Sequence, residues 1–400
     1  MKLCFICSEY PPGPHGGTGT FTQVIARALT QAGHQVRVAG IYPATHPGAD
    51  YEEDQGVQVW RLREPRFPYG WILGRYRLYR LIKNWITAGE ADLVEAPDHE
   101  GWFACWPRLP VPLVTRAGGA YSYFAHDLGN RVDPSLFRLE KWSYHRADAW
   151  ITKSRYTGEV TSQLFKLPSG PSAILYNPVD VPESVTPFSS RNSNQVVFTG
   201  TLTPKKGVVQ LIDAWPSIKG RFAAAELHLY GRDTRAPSGG SMQLYLQERL
   251  PSDLRASVHF HGHVKREELF EVLGFARVAV FPSFSEGFAW APLESMGYGC
   301  PTIYTQLGSG PELIQNGFDG LLIDPNHPTQ IAEAIIRLLT DDNLSQQLSD
   351  AGRFRVLTSF TLENLLPMNE AAYADIIKSY QARLLHKPVT GLDRGSVSGA

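Results

Sequence analysis

Two glutamates, Glu286 and Glu294, stand eight residues apart in the segment PSFSEGFAWAPLESMGYGCP. Residues 277–281 before it are largely apolar and β-prone, and residues 291–298 have helical character, so the pattern predicts a strand, a loop and a helix. Pro292 suits the first turn of that helix, where open amide groups and the positive dipole end attract a phosphate. Carboxylates accept hydrogen bonds from sugar hydroxyls. The chemistry that fits both features is binding of a nucleotide sugar.

Two series of alternating predicted strands and helices position these groups. The first opens with residues 3–40, in which a short apolar strand, a Pro- and Gly-rich loop and an amphipathic helix lead to a second strand. The second opens with residues 195–215, a strand, a loop with two lysines and a helix. Its later strands are predicted at 226–230, 258–261, 278–281 and 302–304. Together they indicate an α/β protein with two doubly wound domains.

The EGFAWAPLE stretch resembles the Glu, seven residues, Glu signature of the retaining glycosyltransferases of family 4. Further motifs follow in the family's order from Lys2 to about Tyr380. The resemblance implies the GT-B fold, in which two Rossmann-like domains face each other across a cleft. It also implies transfer of a sugar from a UDP- or GDP-linked donor to a hydroxyl of a carbohydrate, lipid-linked or small-molecule acceptor. No cofactor is implied, and the lack of an Asp-x-Asp cluster in a suitable loop predicts independence of metal ions.

The domain limits follow from composition and from the resemblance. We expect an acceptor domain over residues 1–180 and a donor domain over 181–366, since the stretch after residue 180 is rich in Pro, Ser and Asn. A helix over 368–385 is expected to pack back on the first domain, and Pro367 is expected to kink or split it. Residues 386–400 are predicted to form a flexible tail.

The resemblance assigns roles within the donor site. Glu286 would hold hydroxyls of the transferred sugar, Glu294 would accept those of the ribose, and Lys206 would offset charge on the departing diphosphate. The other residues predicted to line the donor site are Gly17, Thr201, Lys205, Arg232, Val264, Gly287, Phe288, Ala289, Pro292 and Leu293. No residue is predicted to bind a metal.

Two departures from the family's pattern concern charge and the sugar pocket. An arginine that commonly follows the first strand of the donor domain is Thr201 here, which leaves Lys205 or Arg232 as the candidate second phosphate cation. A histidine that commonly lies near the transferred sugar is Gly118 here. His126 is the candidate catalytic replacement, although a surface or capping histidine is the more common interpretation.

A third position, Arg116, lies on the strand that leads to Gly118. It is predicted to contact the donor or, with Gly118 and His126, the acceptor.

Composition limits the partners and the cellular compartment that the sequence predicts. The 38 basic and 39 acidic residues give a formal charge of -1, which does not favour a nucleic acid partner. Four cysteines in 400 residues do not make a disulfide framework, and Cys4 and Cys7 are expected to be buried in the first strand. The apolar run at the start is too short for a signal peptide, and no stretch approaches the roughly twenty apolar residues of a membrane span. These features predict a cytoplasmic protein.

Residues 61–86 interleave basic and aromatic side chains. Such a segment binds anionic lipid or an anionic acceptor, or it covers the sheet of the first domain as an ordinary amphipathic helix. We favour the ordinary helix, because a doubly wound domain needs one there; peripheral contact with the inner face of a membrane stays open.

Two other classes of protein fit parts of the pattern. A phosphorylase or epimerase would use a related cleft, and a non-catalytic carbohydrate- or nucleotide-binding subunit would keep the fold without the reaction. The changes at Thr201 and Gly118 favour the second, whereas the joint presence of Glu286, Glu294 and Lys206 favours an enzyme. Nucleotide binding without turnover identifies a binding subunit, and phosphate-dependent cleavage identifies a phosphorylase.

Overall fold

The structure, a computed structural model, describes residues 1–385 and shows a first domain built on seven strands. The strands are β1 (Lys2–Ile6), β2 (Gln35–Tyr42), β3 (Tyr51–Asp54), β4 (Val57–Arg63), β5 (Leu93–Pro97), β6 (Leu113–Ala117) and β7 (Ala149–Thr152). They form one sheet in the order β3-β4-β2-β1-β5-β6-β7. Neighbouring strands are parallel except β3 and β4. The tail predicted for residues 386–400 lies outside the described residues.

Helices connect the strands of the first domain. They are α1 (Gly17–Gln31), α2 (Gly70–Thr87), α3 (Tyr121–Asp127), α4 (Pro134–Arg146) and α5 (Arg155–Phe165). The inner strands are covered on both faces, so β1 is buried along almost its whole length. Cys4 and Cys7 are fully buried within this layer, and burial raises the pKa of each thiol to about 12.

A six-stranded parallel sheet forms the second domain. Its strands are β8 (Asn192–Thr199), β9 (Glu226–Tyr230), β10 (Val258–Gly262), β11 (Ala276–Phe281), β12 (Thr302–Thr305) and β13 (Leu321–Ile323), in the order β10-β9-β8-β11-β12-β13. Its helices are α6 (Val208–Arg221), α7 (Met242–Arg249), α8 (Arg266–Phe275), α9 (Trp290–Gly297), α10 (Gly310–Leu313), α11 (Pro328–Thr340) and α12 (Asp342–Ser359). The prediction of two doubly wound domains is confirmed.

The last described helix, α13 (Leu362–Leu385), returns the chain to the first domain. It runs unbroken through Pro367, so of the two predicted effects of this proline the split is wrong, and the kink stays a prediction. Tyr373 and Ile376 are buried in the core of the first domain. The chain therefore crosses between the domains twice, and the two crossings lie side by side: Val179 N–H donates to the Phe360 carbonyl over 2.8 Å, and Val179 pairs with Thr361.

Both sheets reverse their strand order near the centre. In the first sheet the reversal falls between β1 and β5, and in the second it falls between β8 and β11. Loops that leave the carboxyl ends of such strands diverge and open a crevice, which is where open α/β sheets bind ligands. The loops after β8 and β11 carry Lys206 and Glu286. The fold therefore places Lys206 and Glu286 at the edge where open α/β sheets form a ligand crevice.

Candidate active site between the two domains

Lys206 and Glu286 form an ion pair, with 2.5 Å between the lysine Nζ and the carboxylate Oε1. Gly207 ends the lysine turn with φ 72°, and a Cβ there would lie 1.8 Å from the Pro282 carbonyl oxygen, so only glycine brings the two loops this close. Burial acts to raise the pKa of Glu286, but Lys206 and then Lys205 outweigh it and lower the pKa. The carboxylate is therefore ionised and acts only as an acceptor.

Lys205 points toward the first domain. Its Nζ lies 3.6 Å from the centre of the Phe124 ring, a cation–π contact across the cleft. Burial lowers the pKa of this lysine, and Glu286 opposes that shift. Lys205 therefore lies beside Glu286 and is available as a second phosphate cation, whereas Arg232, the other candidate, is exposed on the turn after β9.

The loop that carries Glu286 touches the first domain directly. A Cβ on Gly287 would lie 2.1 Å from the carbonyl oxygen of Gly118, so the two backbones are in van der Waals contact. The Gly287 carbonyl accepts hydrogen bonds from Ser154 Oγ at 3.0 Å and Thr157 Oγ1 at 2.8 Å. Tyr123 Oη donates to the Glu286 carbonyl over 3.2 Å. These bonds hold the Glu286 loop against the first domain.

The first turn of α9 presents open backbone donors. Ala289 provides no side-chain cap, and no acceptor within residues 1–385 meets the amide groups of residues 287–291. Pro292 lies in this turn, as predicted, and fits there because it has no amide hydrogen to satisfy. The open amides and the positive end of the helix dipole form a seat for a phosphate.

Glu294 follows on the same helix and is 8% exposed. Its Oε1 lies 2.7 Å from Nη2 of Arg266 on α8. Burial raises the pKa of Glu294, although the arginine acts in the opposite direction. A hydroxyl pair that binds this carboxylate must therefore share it with Arg266 or displace it.

The glycine-rich loop after β1 faces α9 through Gly17. A Cβ on Gly17 would lie 4.0 Å from Trp290 Cδ1 and Nε1, and the indole nitrogen has no hydrogen-bond partner among the described residues. The amides of Gly16 and Gly19 are already taken, since both donate to the Glu9 carboxylate over 2.9 Å. Glu9 thus occupies the position at the start of α1 where the backbone amides would otherwise bind an external anion.

The remaining predicted residues lie in three environments. Thr201 and Val264 are half-buried, and Phe288, Ala289 and Leu293 are buried in a core cluster of the second domain. His126 is exposed, and no hydrogen bond of its ring is formed within residues 1–385. Its neighbour Asp127 contacts the second domain, because its carboxylate accepts a hydrogen bond from Ser285 Oγ. The structure therefore does not bring His126 together with Glu286.

Arg116 is buried in the first domain, not displayed on the cleft surface. Its Nε donates to Glu95 Oε1 over 2.6 Å, and its Nη2 contacts Tyr373 Oη at 2.9 Å and Asn369 Oδ1 at 3.2 Å on α13. Burial acts to lower the pKa of Arg116, but Glu95 outweighs it and raises the pKa. The contacts of Arg116 are those of a structural link between β5, β6 and α13.

Sequence reasoning missed several residues of the cleft. Arg266 and Trp290 gave no signal beyond their types, because a single arginine or tryptophan on a helix is usually structural. Glu9 was recognisable as a carboxylate just before a glycine-rich helix start, a position that favours capping. Lys153 follows β7 in the sequence ITKS. A lysine directly after an apolar strand is the one signal that could have pointed to it.

Models of two known protein families match the two domains of this chain. Residues 15–183 match the model of Glycosyltransferase Family 4, and residues 185–355 match that of Glycosyl transferases group 1. A glycogen synthase of Mycobacterium tuberculosis is 27% identical over 93% of this chain and 94% of its own length. A GDP-mannose-dependent phosphatidylinositol monomannoside mannosyltransferase of the same species is 24% identical over 95% and 99%.

Solved structures show the same fold. A sucrose-phosphate synthase from Thermosynechococcus elongatus superposes with a TM-score of 0.78 at 20% identity, covering 94% of this chain and 99% of that one. An Anabaena protein solved in complex with UDP and glucose gives 0.66 at 16% identity, covering 97% and 100%.

The fold and the cleft define the class as GT-B glycosyltransferases, enzymes that use nucleotide sugars. Since the two family models together span most of the chain, one on each domain, the chain belongs to glycosyltransferase family 4.

Proposed function

We propose that the enzyme moves a glycosyl unit from a nucleoside diphosphate sugar to a hydroxyl acceptor with retention at the anomeric carbon. The observation that carries this proposal is the Lys206–Glu286 ion pair beside the open amides of residues 287–291. This arrangement offers a cation and backbone donors to a diphosphate and a carboxylate to sugar hydroxyls. Relatives named as glycogen synthase and as GDP-mannose-dependent phosphatidylinositol monomannoside mannosyltransferase support the reaction class, and their names point to different products.

Each residue of the site has a separate proposed role in cleaving the bond between the sugar and the diphosphate. As the bond between the anomeric carbon and the diphosphate oxygen breaks, positive charge grows on the sugar and negative charge on the leaving group. Lys206, Lys205 and the amides of residues 287–291 would stabilise the leaving group. Glu286 would hold hydroxyls of the sugar, and Glu294 those of the ribose. The acceptor oxygen forms the new bond on the face that the diphosphate leaves, and a diphosphate oxygen takes its proton, so neither glutamate becomes a nucleophile.

Nucleotide preference is the first test of this site. Among UDP, GDP and ADP, one nucleotide is expected to raise the melting temperature specifically. Glu294→Ala is expected to weaken its binding by about ten- to a hundredfold, because a charge-assisted hydrogen bond contributes roughly 1.5–3 kcal/mol. Thermal shift and calorimetric titration measure both effects. Glu248→Ala removes an exposed glutamate of α7 and should bind like the wild type. Absence of binding by any nucleotide would contradict the donor site.

Metal independence is part of the same proposal, because Lys205, Lys206 and the helix terminus supply positive charge to the diphosphate. Within residues 1–385, no group of three His, Cys, Asp or Glu residues is placed to hold a metal ion. We expect EDTA to leave the transfer rate unchanged and added magnesium or manganese to have no effect. Activity that is abolished by chelator and restored by either ion would refute this model of the diphosphate site.

The surface around the start of α2 has the composition of a surface that binds anionic lipid. Its members are exposed aromatic and aliphatic side chains close to exposed basic ones: Phe67, Tyr69, Trp71, Ile72, Tyr76, Arg66, Arg77, Arg80 and Lys83. The opposite face of α2 covers the sheet through Leu78 and Ile82, so the interpretation as an ordinary amphipathic helix accounts only for that face. The helix carries no acidic residue. No helix among the described residues is long and apolar enough to cross a membrane. We propose that this α2 surface lies on anionic lipid.

Vesicle sedimentation tests the α2 surface. The protein is expected to sediment with phosphatidylglycerol-containing vesicles and not with pure phosphatidylcholine, and salt should release it. Trp71→Ser and Arg77→Glu should each weaken binding. Trp142→Ser is the matched control, since Trp142 is 52% exposed on α4 and Trp71 is 48% exposed. Equal sedimentation of Trp71→Ser and the wild type, or a dimer that buries the surface in solution, would refute lipid contact.

A further inference from the structure

Lys153 is a largely buried lysine whose side chain forms no hydrogen bond and no ion pair within the described residues. It follows β7 directly, and only 7% of it is exposed. Its Nζ lies 4.8 Å from the centre of the Phe21 ring but makes no hydrogen bond and no ion pair with any residue of 1–385. An ammonium on so buried a side chain loses part of its water shell, and no hydrogen bond from the chain replaces what is lost. A bound ligand could supply the hydrogen-bond acceptors that the Lys153 ammonium lacks.

The carboxylates around Lys153 are engaged elsewhere. Glu95 binds Arg116, with 2.6 Å between Oε1 and Nε. Asp98 Oδ2 accepts the amides of Gly118 and Gly119, each over 3.1 Å. Glu9 accepts the amides at the start of α1. These carboxylates compensate the charge of Lys153 at a distance but leave its three N–H donors unused.

Lys153 lies beside the Gly118 backbone, which contacts the Glu286 loop. A Cβ on Gly118 would lie 3.1 Å from Lys153 Nζ and Cε, so the lysine fills the space that a side chain at 118 would take. The carbonyl of the same Gly118 touches Gly287, the residue after Glu286. One glycine thus separates Lys153 from the loop that carries the sugar-binding carboxylate.

A small cavity reaches Lys153. It has a volume of about 20 Å³ and is lined by Lys153, Arg116, Thr18, Phe21 and Glu95, among others. Arg116 Nη1 is buried and has no hydrogen-bond partner among the described residues. The cavity has room for one water-sized group. Two cationic side chains with unused donors therefore border a space that one ligand oxygen can enter.

We propose that Lys153, assisted by Arg116, binds an anionic oxygen carried by one of the two sugar substrates, as a carboxylate or a phosphate. The inference rests on the proposed glycosyl transfer and names a property of its substrate. A neutral hydroxyl satisfies one donor but leaves the charge unmatched, whereas an anionic oxygen supplies both. Gly118 contributes by leaving room for the lysine.

The pKa of Lys153 predicts how the preference for an anionic substrate depends on pH. Burial and then Arg116 lower the pKa of Lys153 to about 8, while Asp98, Glu95 and Glu9 oppose the shift. The amine is protonated below that value and neutral above it. Preference for an anionic substrate should therefore be largest below pH 8 and fade as the pH rises past it.

Matched substrates test the inference and identify the source of the anion. Donors differing only in a carboxylate, UDP-glucose and UDP-glucuronate, or GDP-mannose and GDP-mannuronate if GDP is the nucleotide bound, are compared by kcat/KM for transfer or hydrolysis. Glucose and glucose 6-phosphate are compared as acceptors. We expect at least about a tenfold preference for the anionic member of one pair, the effect of one charge-assisted hydrogen bond. Lys153→Met should abolish that preference, and Lys378→Met, an exposed lysine of α13, should keep it.

The outcomes separate this inference from the proposed function. Turnover without preference in the wild type, or a preference kept in Lys153→Met, overturns the role of Lys153 and leaves glycosyl transfer intact. No turnover of any nucleotide sugar and no nucleotide binding overturns both. The melting temperature of ligand-free Lys153→Met is a second readout: it should equal or exceed that of the wild type, because methionine removes an unsatisfied buried charge. A marked decrease would show a structural role instead.

Discussion

Glu286→Gln is expected to lower kcat by at least about a hundredfold, which corresponds to roughly 2.7 kcal/mol of transition-state stabilisation. Glutamine keeps the shape of the side chain but removes the charge that pairs with Lys206 at 2.5 Å and that would accept sugar hydroxyls as positive charge grows on the ring. Steady-state kinetics with the donor identified by nucleotide binding would measure the loss.

The affinity of Glu286→Gln for the free nucleoside diphosphate should, unlike its kcat, stay unchanged. Because Glu286 is assigned to the sugar and Glu294 to the ribose, Glu286→Gln should bind the nucleotide about as well as the wild type. Glu267→Gln, an exposed glutamate of α8, serves as the matched control for kcat. A kcat within a few-fold of the wild-type value would contradict the assignment of Glu286.

Arg116→Met is expected to lower the free energy of unfolding by about 3–5 kcal/mol, the usual cost of leaving one member of a buried ion pair alone. Glu95 would stay buried, with Tyr373 Oη, 2.8 Å from its Oε2, as the remaining donor. Chemical denaturation measures the loss. Arg138→Met, at an exposed arginine of α4, should change the stability by less than about 0.5 kcal/mol.

A double variant isolates the structural contribution of the Glu95–Arg116 pair from the contact of Arg116 Nη1 with a substrate oxygen proposed above. Replacing Glu95 and Arg116 together by methionine removes both charges, so much of the lost stability should return. If the single variant instead keeps its stability and loses only substrate binding, the structural link is refuted, and the contact with donor or acceptor predicted from sequence is the role that remains.

The local pattern around Glu286 was predictable from sequence because strand, loop and helix are encoded by neighbouring residues. The apolar run of β11 and Pro292 fixed the order of elements, and α9 begins one residue before the predicted start. The alternation of strands and helices in both halves likewise fixed the two domains. The fold class was therefore accessible without knowledge of any contact.

Contacts between distant segments were not predictable in this way. Lys206 and Glu286 are 80 residues apart, and Arg116 and Tyr373 are 257 apart, so no periodicity links either pair. The sequence assigned Arg116 to a substrate because it lies near the end of β6, but its burial depends on α13, which packs there only after the chain has returned. Lys153 was overlooked for the same reason: its missing partners become visible only when its neighbours are known.

The adjacent crossings at Val179 and Thr361 limit how the two domains can move. Since both connections run through one short paired stretch, a rigid-body rotation of one domain against the other would turn about that stretch. Such a rotation would displace the Glu286 loop and break the bonds from Ser154 and Thr157 to Gly287 together. Opening of the cleft and misalignment of Glu286 would then be one and the same movement, which a spectroscopic distance probe across the cleft would follow.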